Sequence, residues 1–555
     1  MLGLDRRIGL LFGGFVLVFA VALLRASYIQ VVRGSALSEQ AANQQLAEIP
    51  VPARRGAIVD RNGHTLAVSQ ESKTIYLTPY QLNSDGKQVE VLARILDQDP
   101  SQILDAISAG TPGYAAIAHE VDLRTAKRIE ALDYEGVGST PDSHRYYLQG
   151  ALASQVLGIV NGEDQGVAGL EASYDDQLAG SAGEVEVTND AIGRTVKRNV
   201  LTEATTGARL KLTIDSDIQQ RAEEVLAGIG ATYLPTGASA IVMDARNSEV
   251  LAMASWSPEA SADGSEGDSW ESMQNLATSS IYEPGSTFKS FTVAAAMQEG
   301  LVTPETSFNL APSIVVGDRT IEESHARESA TLTTADILRT SSNVGAVTIG
   351  LMLGSDGVTF DKWVRRFGFG TATGVELPGE ETGLVIAPED YSGSTMGNLP
   401  IGQGLAVTPL QMARGYAAIA NGGILRRPQL VLRDASGRVA ADDGKRVISR
   451  QTSSEMAKML EGVFEEGGTA AGVTVPGYTL AGKTGTAQKV VNGVYSETEY
   501  VASFIGFAPA NDPRIVVSVV VDDPSVGSYY GGTVAAPAFG ELVGFTLPYL
   551  GVRSG

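Results

Sequence analysis

The sequence predicts an α+β protein tethered by one N-terminal transmembrane helix, and three observations carry that prediction. The first is an uncharged run from Ile8 to Leu24, IGLLFGGFVLVFAVALL. The second is a set of strand-like apolar runs at both ends of the C-terminal segment, Ala238–Asp244 and Glu249–Trp256 at one end, Val501–Phe507 and Arg514–Val521 at the other. The third is the long, mainly helical section between them, so the sheet is assembled from both ends of its segment. A chain of 555 residues implies two to four domains. With 43% hydrophobic and 19% charged residues it has the material for a sizeable core. A net charge of −23 argues against nucleic acid as a partner. There are no cysteines, and the four histidines (His64, His119, His144, His325) are scattered singly, so thiol chemistry and Cys/His metal sites are disfavoured.

In chain order, the run at Ile8–Leu24 is at the short end of what crosses about 30 Å of hydrocarbon, and Arg6, Arg7 and Arg25 flank it. A retained anchor is the first reading and a cleaved signal peptide the rival. Ala20-Val21-Ala22 resembles a cleavage site, but it lies inside the apolar run. Residues 26–47 are polar and helix-compatible until Pro50 and Pro52 break the pattern. Ala57–Val59 and Thr65–Val68 form a hairpin about Asn62-Gly63, which supplies positive φ. The segment 90–135 reads as short helices; a Gly-rich acidic stretch and a strand at Glu184–Thr188 follow. A domain boundary falls near 215–235, where Asp215 is the candidate cap of a helix reading IQQRAEEVLAGIG.

Three constellations bear chemistry. In Ser286-Thr287-Phe288-Lys289, followed by FTVAAAMQ, residues three apart share a helix face and the Lys289 amine can approach the Ser286 hydroxyl. A helix start also favours negative charge developing at the serine. Alone the spacing is weak, since Ser84-Asp85-Gly86-Lys87 shares it in a turn. Ser341-Ser342-Asn343, between the helix-like TTADILRT and VTIGLMLG, places a hydroxyl and a carboxamide on a short connection, where helix capping is the plainer reading. Lys483-Thr484-Gly485-Thr486 lies in a strand-like run, and Gly485 would let a bound backbone lie close. The three motifs together, in this order, are the set associated with penicillin-binding proteins and serine β-lactamases. A competitor is the phosphate-loop pattern Gly477…Gly482-Lys483-Thr484, with Asp522-Asp523 after an apolar strand; a phosphate loop must open a helix, and here a strand and an Asn492-Gly493 hairpin follow.

Over nearly its whole length the chain resembles class B penicillin-binding proteins, most of all the septal, cell-division D,D-transpeptidases. The resemblance is carried by RRGAIVDRNG (54–63), GLEASYDDQLAG (169–180), YEPGSTFKSFTVA (282–294), SSNVG (341–345), IGQGLAVTPLQMARGYAAIANGG (401–423), KTGTAQ (483–488) and YYGGTVAAPAF (529–539). It implies a short cytoplasmic end with an anchor over 1–30, an elongated pedestal over 31–225 and a penicillin-binding transpeptidase domain over 226–555. In that domain a central antiparallel sheet is flanked by helices. It further implies residence in the cell membrane as a single-pass protein with the catalytic domain on the outer face.

By the same resemblance Ser286 is the acylated nucleophile and Lys289 the base, a role requiring burial or a neighbouring cation such as Lys483 to favour the neutral amine. Ser341 relays protons and Asn343 binds the donor peptide amide. Thr484 and Thr486 contact its carboxylate beside Gly485, Lys483 supplies positive charge, and the backbone amides of Ser286 and Thr486 form the oxyanion hole. No cofactor and no metal is implied. Substrates are peptidoglycan stem peptides and β-lactams are inhibitors; a SEDS-family glycosyltransferase and other division proteins are the implied partners, because no glycan-polymerising domain precedes the pedestal. Arg55, Gly56, Asp60, Arg61, Gly63 and Glu171 match positions that link the two outer domains, and a structural role suffices for them. The alternatives are a lateral-wall (cell-shape) transpeptidase of the same class, a D,D-carboxypeptidase or β-lactamase, and a non-catalytic β-lactam-binding scaffold.

Overall fold

A computed structural model describes residues 4–34, 46–82, 86–111, 113–189, 195–258, 274–433 and 443–554. The chain divides into two compact units: residues 1–54, 70–144 and 179–207 form one, and residues 55–69, 145–178 and 208–555 the other.

In the smaller unit an α-helix runs from Leu4 to Val31, 28 residues or about 42 Å, long and apolar enough to cross a bilayer. It carries on past the uncharged run into the polar stretch; residues 35–45 of that stretch, like Ser84 and Asp85, lie outside the described residues. The helical reading fails at its end, because Leu46–Val51 is a strand paired antiparallel with Gly183–Asn189, the strand foreseen at 184–188. Thr195–Thr202 pairs on the other side, so Pro50 occupies an edge strand, where its missing N–H is tolerated. Within 90–135 three helices appear, Lys87–Leu96, Pro100–Ala109 and Leu123–Glu130. Ala115–Asp122, however, is a strand paired with residues 72–77. Its sequence AAIAHEVD alternates too weakly to announce itself. Asp122 ends the strand and caps the next helix by accepting from the backbone N–H of Arg124 and Thr125. Ile75, Leu77, Leu92, Ile103, Ile117 and Ile129 make the unit's core.

In the larger unit the expected hairpin is present, with Ile58 opposite Ala67, Val59 opposite Thr65 and Gly63 at φ 96°. Asp60 ties it down: its carboxylate accepts from the N–H of Asn62 and His64 (both 2.8 Å) and from Ser216 Oγ (2.8 Å). Behind the hairpin, Glu171 is fully buried between two arginines. Arg55 Nε reaches its Oε2 at 2.6 Å and Arg145 Nε its Oε1 at 2.8 Å, and Arg55 also pairs with Asp175 at 2.7 Å. These residues of the first resemblance stretches therefore do structural work.

The remainder is a three-layer domain built from α1 (Ser216–Tyr233), β1 (Gly237–Asp244), β2 (Val250–Trp256), α2 (Lys289–Gln298), α3 (Asn343–Met352), α4 (Pro409–Ala420), β3 (Ala481–Val491), β4 (Val494–Ala508), β5 (Ile515–Asp522) and α5 (Ala536–Tyr549). Asp215 caps α1 as expected, accepting from Asp217 N and Ile218 N. The strands form one antiparallel sheet in the order β2-β1-β5-β4-β3, so the ends of the segment do meet at its centre. Both faces are covered, which is why the strands read as continuous apolar runs. Val517, Val519 and Val521 of β5 pack with Ile218, Leu226, Phe539 and Leu542 of α1 and α5. Val516 and Val520 belong to the opposite core with Phe291 and Val293 of α2 and Leu410, Tyr416 and Ala417 of α4. Strands β2 and β3 end the sheet, and among the described residues no strand pairs with the outer side of β3.

Removing the acceptor at the centre of the arginine pair takes from buried Arg145 its carboxylate partner and leaves Arg55 with Asp175 alone. Glu171→Ala is expected to lower the unfolding free energy by about 3–5 kcal/mol in urea denaturation, whereas a surface change such as Glu224→Ala should fall within about 0.5 kcal/mol of wild type.

Candidate active site

Ser286 does not open an α-helix directly. Gly285–Phe288 is a single 3-10 turn, and α2 starts at Lys289. The turn is braced from several sides. Thr287 Oγ1 donates to Pro284 O (2.7 Å), Tyr416 Oη donates to Thr287 O (2.8 Å), and Tyr416 Oη also shares a hydrogen bond with Ser290 Oγ (2.9 Å). Gly285, at φ 54°, donates its N–H to Gly402 O (3.0 Å), and a Cβ on Gly402 would lie 2.1 Å from Gly285 O. The Gln-Gly-Leu stretch continues the support, with Gly404 N donating to Glu283 Oε1 at 2.9 Å. The IGQGLAV stretch thus packs backbone to backbone against the turn and leaves Ser286 half-buried at the cleft wall.

Lys289 is completely buried, and its Nζ donates to Ser341 O (2.6 Å), Asn343 Oδ1 (2.6 Å) and Ser341 Oγ (3.3 Å). Among the described residues these are its hydrogen bonds; none runs to Ser286, whose 3-10 geometry sets the two side chains differently from an α-turn. Burial pushes the Lys289 ammonium down to about 7, opposed by the negative charge of Glu323. Burial, rather than the charge of Lys483, is therefore what lowers Lys289.

Ser341 adopts φ 61°, an uncommon conformation for a residue other than glycine, which turns its carbonyl toward Lys289. Ser342 caps α3 by accepting from Gly345 N (3.0 Å), so the capping reading applies to Ser342, while Ser341 and Asn343 on either side of it meet Lys289. Glu323, which the sequence did not single out, accepts from Ser342 Oγ and Asn343 N, both at 2.6 Å. Asn343 Nδ2 donates to Glu322 O at 2.9 Å. An acidic pair after a short hairpin gives no sequence signal of this role.

On β3, Lys483 is fully buried, with its Nζ 3.3 Å from both Thr484 O and Thr484 Oγ1. Burial and the charge of Lys289 hold its proton affinity well below that of a free lysine. Thr484 Oγ1 also bonds Thr469 Oγ1 (2.7 Å), and Thr486 Oγ1 accepts from Gly531 N (3.0 Å). A Cβ on Gly485 would lie 2.3 Å from Ser503 Oγ and 3.0 Å from both Pro284 O and Thr287 Cγ2. Glycine here lets the strand press against the serine turn. Ser286, Asn343 and Thr486 border one cleft with Arg319, Glu322 and Gln403. The phosphate-loop alternative is overturned: Lys483 and Thr484 lie within a strand paired to β4, Lys483 opposite Ile505 and Thr484 opposite Phe504, and no helix N-terminus follows them.

This fold and cleft match known proteins. Residues 238–544 match the penicillin binding protein transpeptidase domain, and residues 50–212 the penicillin-binding protein dimerisation domain. Stage V sporulation protein D of Bacillus subtilis is 36% identical, over 98% of this chain and 85% of its own length. Peptidoglycan D,D-transpeptidase FtsI of Escherichia coli K12 is 33% identical, over 99% of this chain and 92% of its own. Among solved structures, penicillin binding protein 3 of Mycobacterium tuberculosis complexed with aztreonam superposes with a TM-score of 0.70 at 30% identity, covering 91% of this chain and 98% of that one. The chain belongs to the class B penicillin-binding proteins, the enzymes that carry a transpeptidase domain behind a dimerisation domain.

The contact at Gly485 yields a stability test. Gly485→Ala should destabilise by about 1–3 kcal/mol through overpacking, read as a lowered Tm. Adding Ser503→Gly, which removes the nearest obstructing atom, should recover part of the loss.

Proposed function

We propose that this chain is a membrane-anchored peptidoglycan D,D-transpeptidase that cross-links stem peptides through an acyl-enzyme on Ser286, in septal wall synthesis, and that β-lactams acylate the same serine. The observation that carries the reading is the buried Lys289 amine, poised near neutrality one helical turn after Ser286 and held by Ser341 and Asn343. At neutral pH a substantial fraction of such an amine is unprotonated and able to accept a proton.

The Ser286 hydroxyl attacks the carbonyl of the D-alanyl-D-alanine bond while its proton passes to Lys289. The tetrahedral oxyanion lies between the backbone N–H groups of Ser286 and Thr486. As the intermediate collapses, the C–N bond breaks and the leaving D-alanine nitrogen takes a proton relayed through Ser341. An acceptor amine then attacks the ester, its proton is returned to Ser286 through Lys289, and the new amide cross-link departs. Asn343 orients the donor amide, and Thr484 and Thr486 meet the donor carboxylate, while Gly485 between them serves the packing of the strand on the serine turn rather than a bound backbone. Lys483, whose proton affinity burial and the charge of Lys289 lower, supplies positive charge toward that carboxylate. A β-lactam follows the first half-reaction, but its leaving group stays attached and blocks the second.

The proposal includes retention of the apolar helix as the anchor, with the catalytic domain on the outer face of the cell membrane. It divides the chain into anchor (1–30), pedestal (31–225) and transpeptidase domain (226–555). It also assigns glycan polymerisation to a SEDS-family glycosyltransferase partner among other division proteins. Reconstituted cross-linking that runs undiminished without such a polymerase would remove that partner from the account.

Two outcomes follow for the detergent-solubilised full chain. Intact-mass spectrometry after benzylpenicillin should give one stable adduct, absent in Ser286→Ala; a folded wild type without adduct would refute the assignment. Because the base must be neutral, the rate of adduct formation should rise with pH through a midpoint near 7 and fall away below it.

A further inference from the structure

The carboxylate of Glu323 has no part in the mechanism above, yet it is the most heavily committed acid near the cleft. Its side chain is only 7% exposed. Oε1 accepts from Ser342 Oγ (2.6 Å) and from Arg327 Nη2 (2.7 Å), and Oε2 accepts from Asn343 N (2.6 Å). Arg327 is itself anchored by the carbonyls of Leu310 (3.2 Å) and Glu328 (2.9 Å), so the carboxylate is fixed from behind. The two residues it grips directly follow Ser341, the one whose left-handed φ of 61° turns its carbonyl onto Lys289. A serine adopts that conformation only where its surroundings enforce it.

We propose that Glu323 is a positioning residue: by holding Ser342 and the Asn343 amide, it keeps the Ser341–Asn343 turn in the conformation that delivers the Ser341 carbonyl and the Asn343 side-chain oxygen to the Lys289 amine. This rests on the transpeptidase reading, since it concerns how the proposed base is held. Two consequences separate it from plain structural support. The first is geometric, because both 2.6 Å acceptors of Lys289 come from the turn that Glu323 holds. The second is electrostatic. The charged groups facing Lys289 are Glu323 and, from β3, Lys483, while those facing Glu323 are Arg327 on its own segment and Lys289 on α2. His325 is directed elsewhere, its ring 6.0 Å from that of Tyr530. Glu323 is thus the anion that opposes loss of the Lys289 proton, and it biases the proton of the buried lysine pair toward Lys289 rather than Lys483.

The test is the pH dependence of acylation by benzylpenicillin in the full chain, for wild type, Glu323→Gln, Glu323→Asp and Ser342→Ala. In Glu323→Gln the amide keeps the size of the side chain but removes its charge and presents a donor where two acceptors are needed. Its acylation should slow by about tenfold or more, and the midpoint of its rising limb should move to lower pH, because a lysine without its anion loses its proton more readily. Glu323→Asp should restore the midpoint to the wild-type position and part of the rate. Ser342→Ala should slow the reaction with the midpoint unmoved, since the charge remains. Glu323→Gln that acylates within twofold of wild type, or that slows with no shift in midpoint, overturns the proposal. If Glu323→Gln melts too low to assay, the pair Glu323→Asp and Ser342→Ala decides: a shifted midpoint in Glu323→Asp, or an undiminished rate in Ser342→Ala, overturns it equally. Absence of a Ser286-dependent adduct in the wild type would instead refute the transpeptidase reading.

Discussion

The burial of one lysine amine is the constraint on which the candidate site depends. A charged ammonium taken out of water without compensation costs several kcal/mol, so a buried lysine must lose its proton or be surrounded by acceptors. Here both occur. Lys289 is pushed down to about 7 and its Nζ is met by two oxygens at 2.6 Å. Those oxygens are available only because Ser341 takes up a left-handed backbone and because the turn around it is fastened to α3 and to Glu323. The Ser-x-Asn motif is thus a receptacle for the lysine.

Around this pair the architecture solves a second problem, bringing three segments distant in sequence within reach of one cleft. The means is backbone approach without side chains. Gly402 lies against Gly285, Gly485 against Pro284 and Ser503, and Gly531 against Gly485 O, where a Cβ would fall 2.2 Å away. Each glycine lets a loop close on the serine turn or on the edge strand that faces it. The sheet supplies rigidity, since β4 and β5 are buried on both faces between α1 and α5 on one side and α2 and α4 on the other. Of the sheet's two terminal strands, β2 and β3, it is β3 that carries Lys483, Thr484 and Thr486 and lies against the serine turn.

Much of this was legible from residues. Apolar runs at both ends of the segment foretold a sheet closed by its termini, and Asp215, Asn62 and Gly63 marked a cap and a turn by side-chain chemistry that tertiary contacts did not override. Alanine-rich AAIAHEVD satisfies helical propensity, yet Ala115–Asp122 is a strand because it pairs with residues 72–77. Leu46 and Ala47 likewise close a helix-compatible polar stretch but pair as strand with Thr188 and Val187. At the site the motifs pick out residues that the fold brings together, but not the forces that gather them. The 3-10 form of the Ser286 turn follows from its braces at Gly402 and Tyr416, more than a hundred residues away. Glu323 was invisible because its importance lies in what it accepts, and no local pattern encodes a partner 20 positions on.

The proposed mechanism for this class B penicillin-binding protein requires a serine hydroxyl served by a lysine whose amine is neutral at working pH. The measurement that bears most directly on this is the titration of Lys289 itself, followed by the nitrogen chemical shift of the side-chain amine in protein labelled at lysine and assigned with Lys289→Met. The account predicts a midpoint near 7 for that resonance; a midpoint near the free-lysine value of about 10.4 would contradict it, because the amine would then be protonated throughout the working range and unable to take the serine proton.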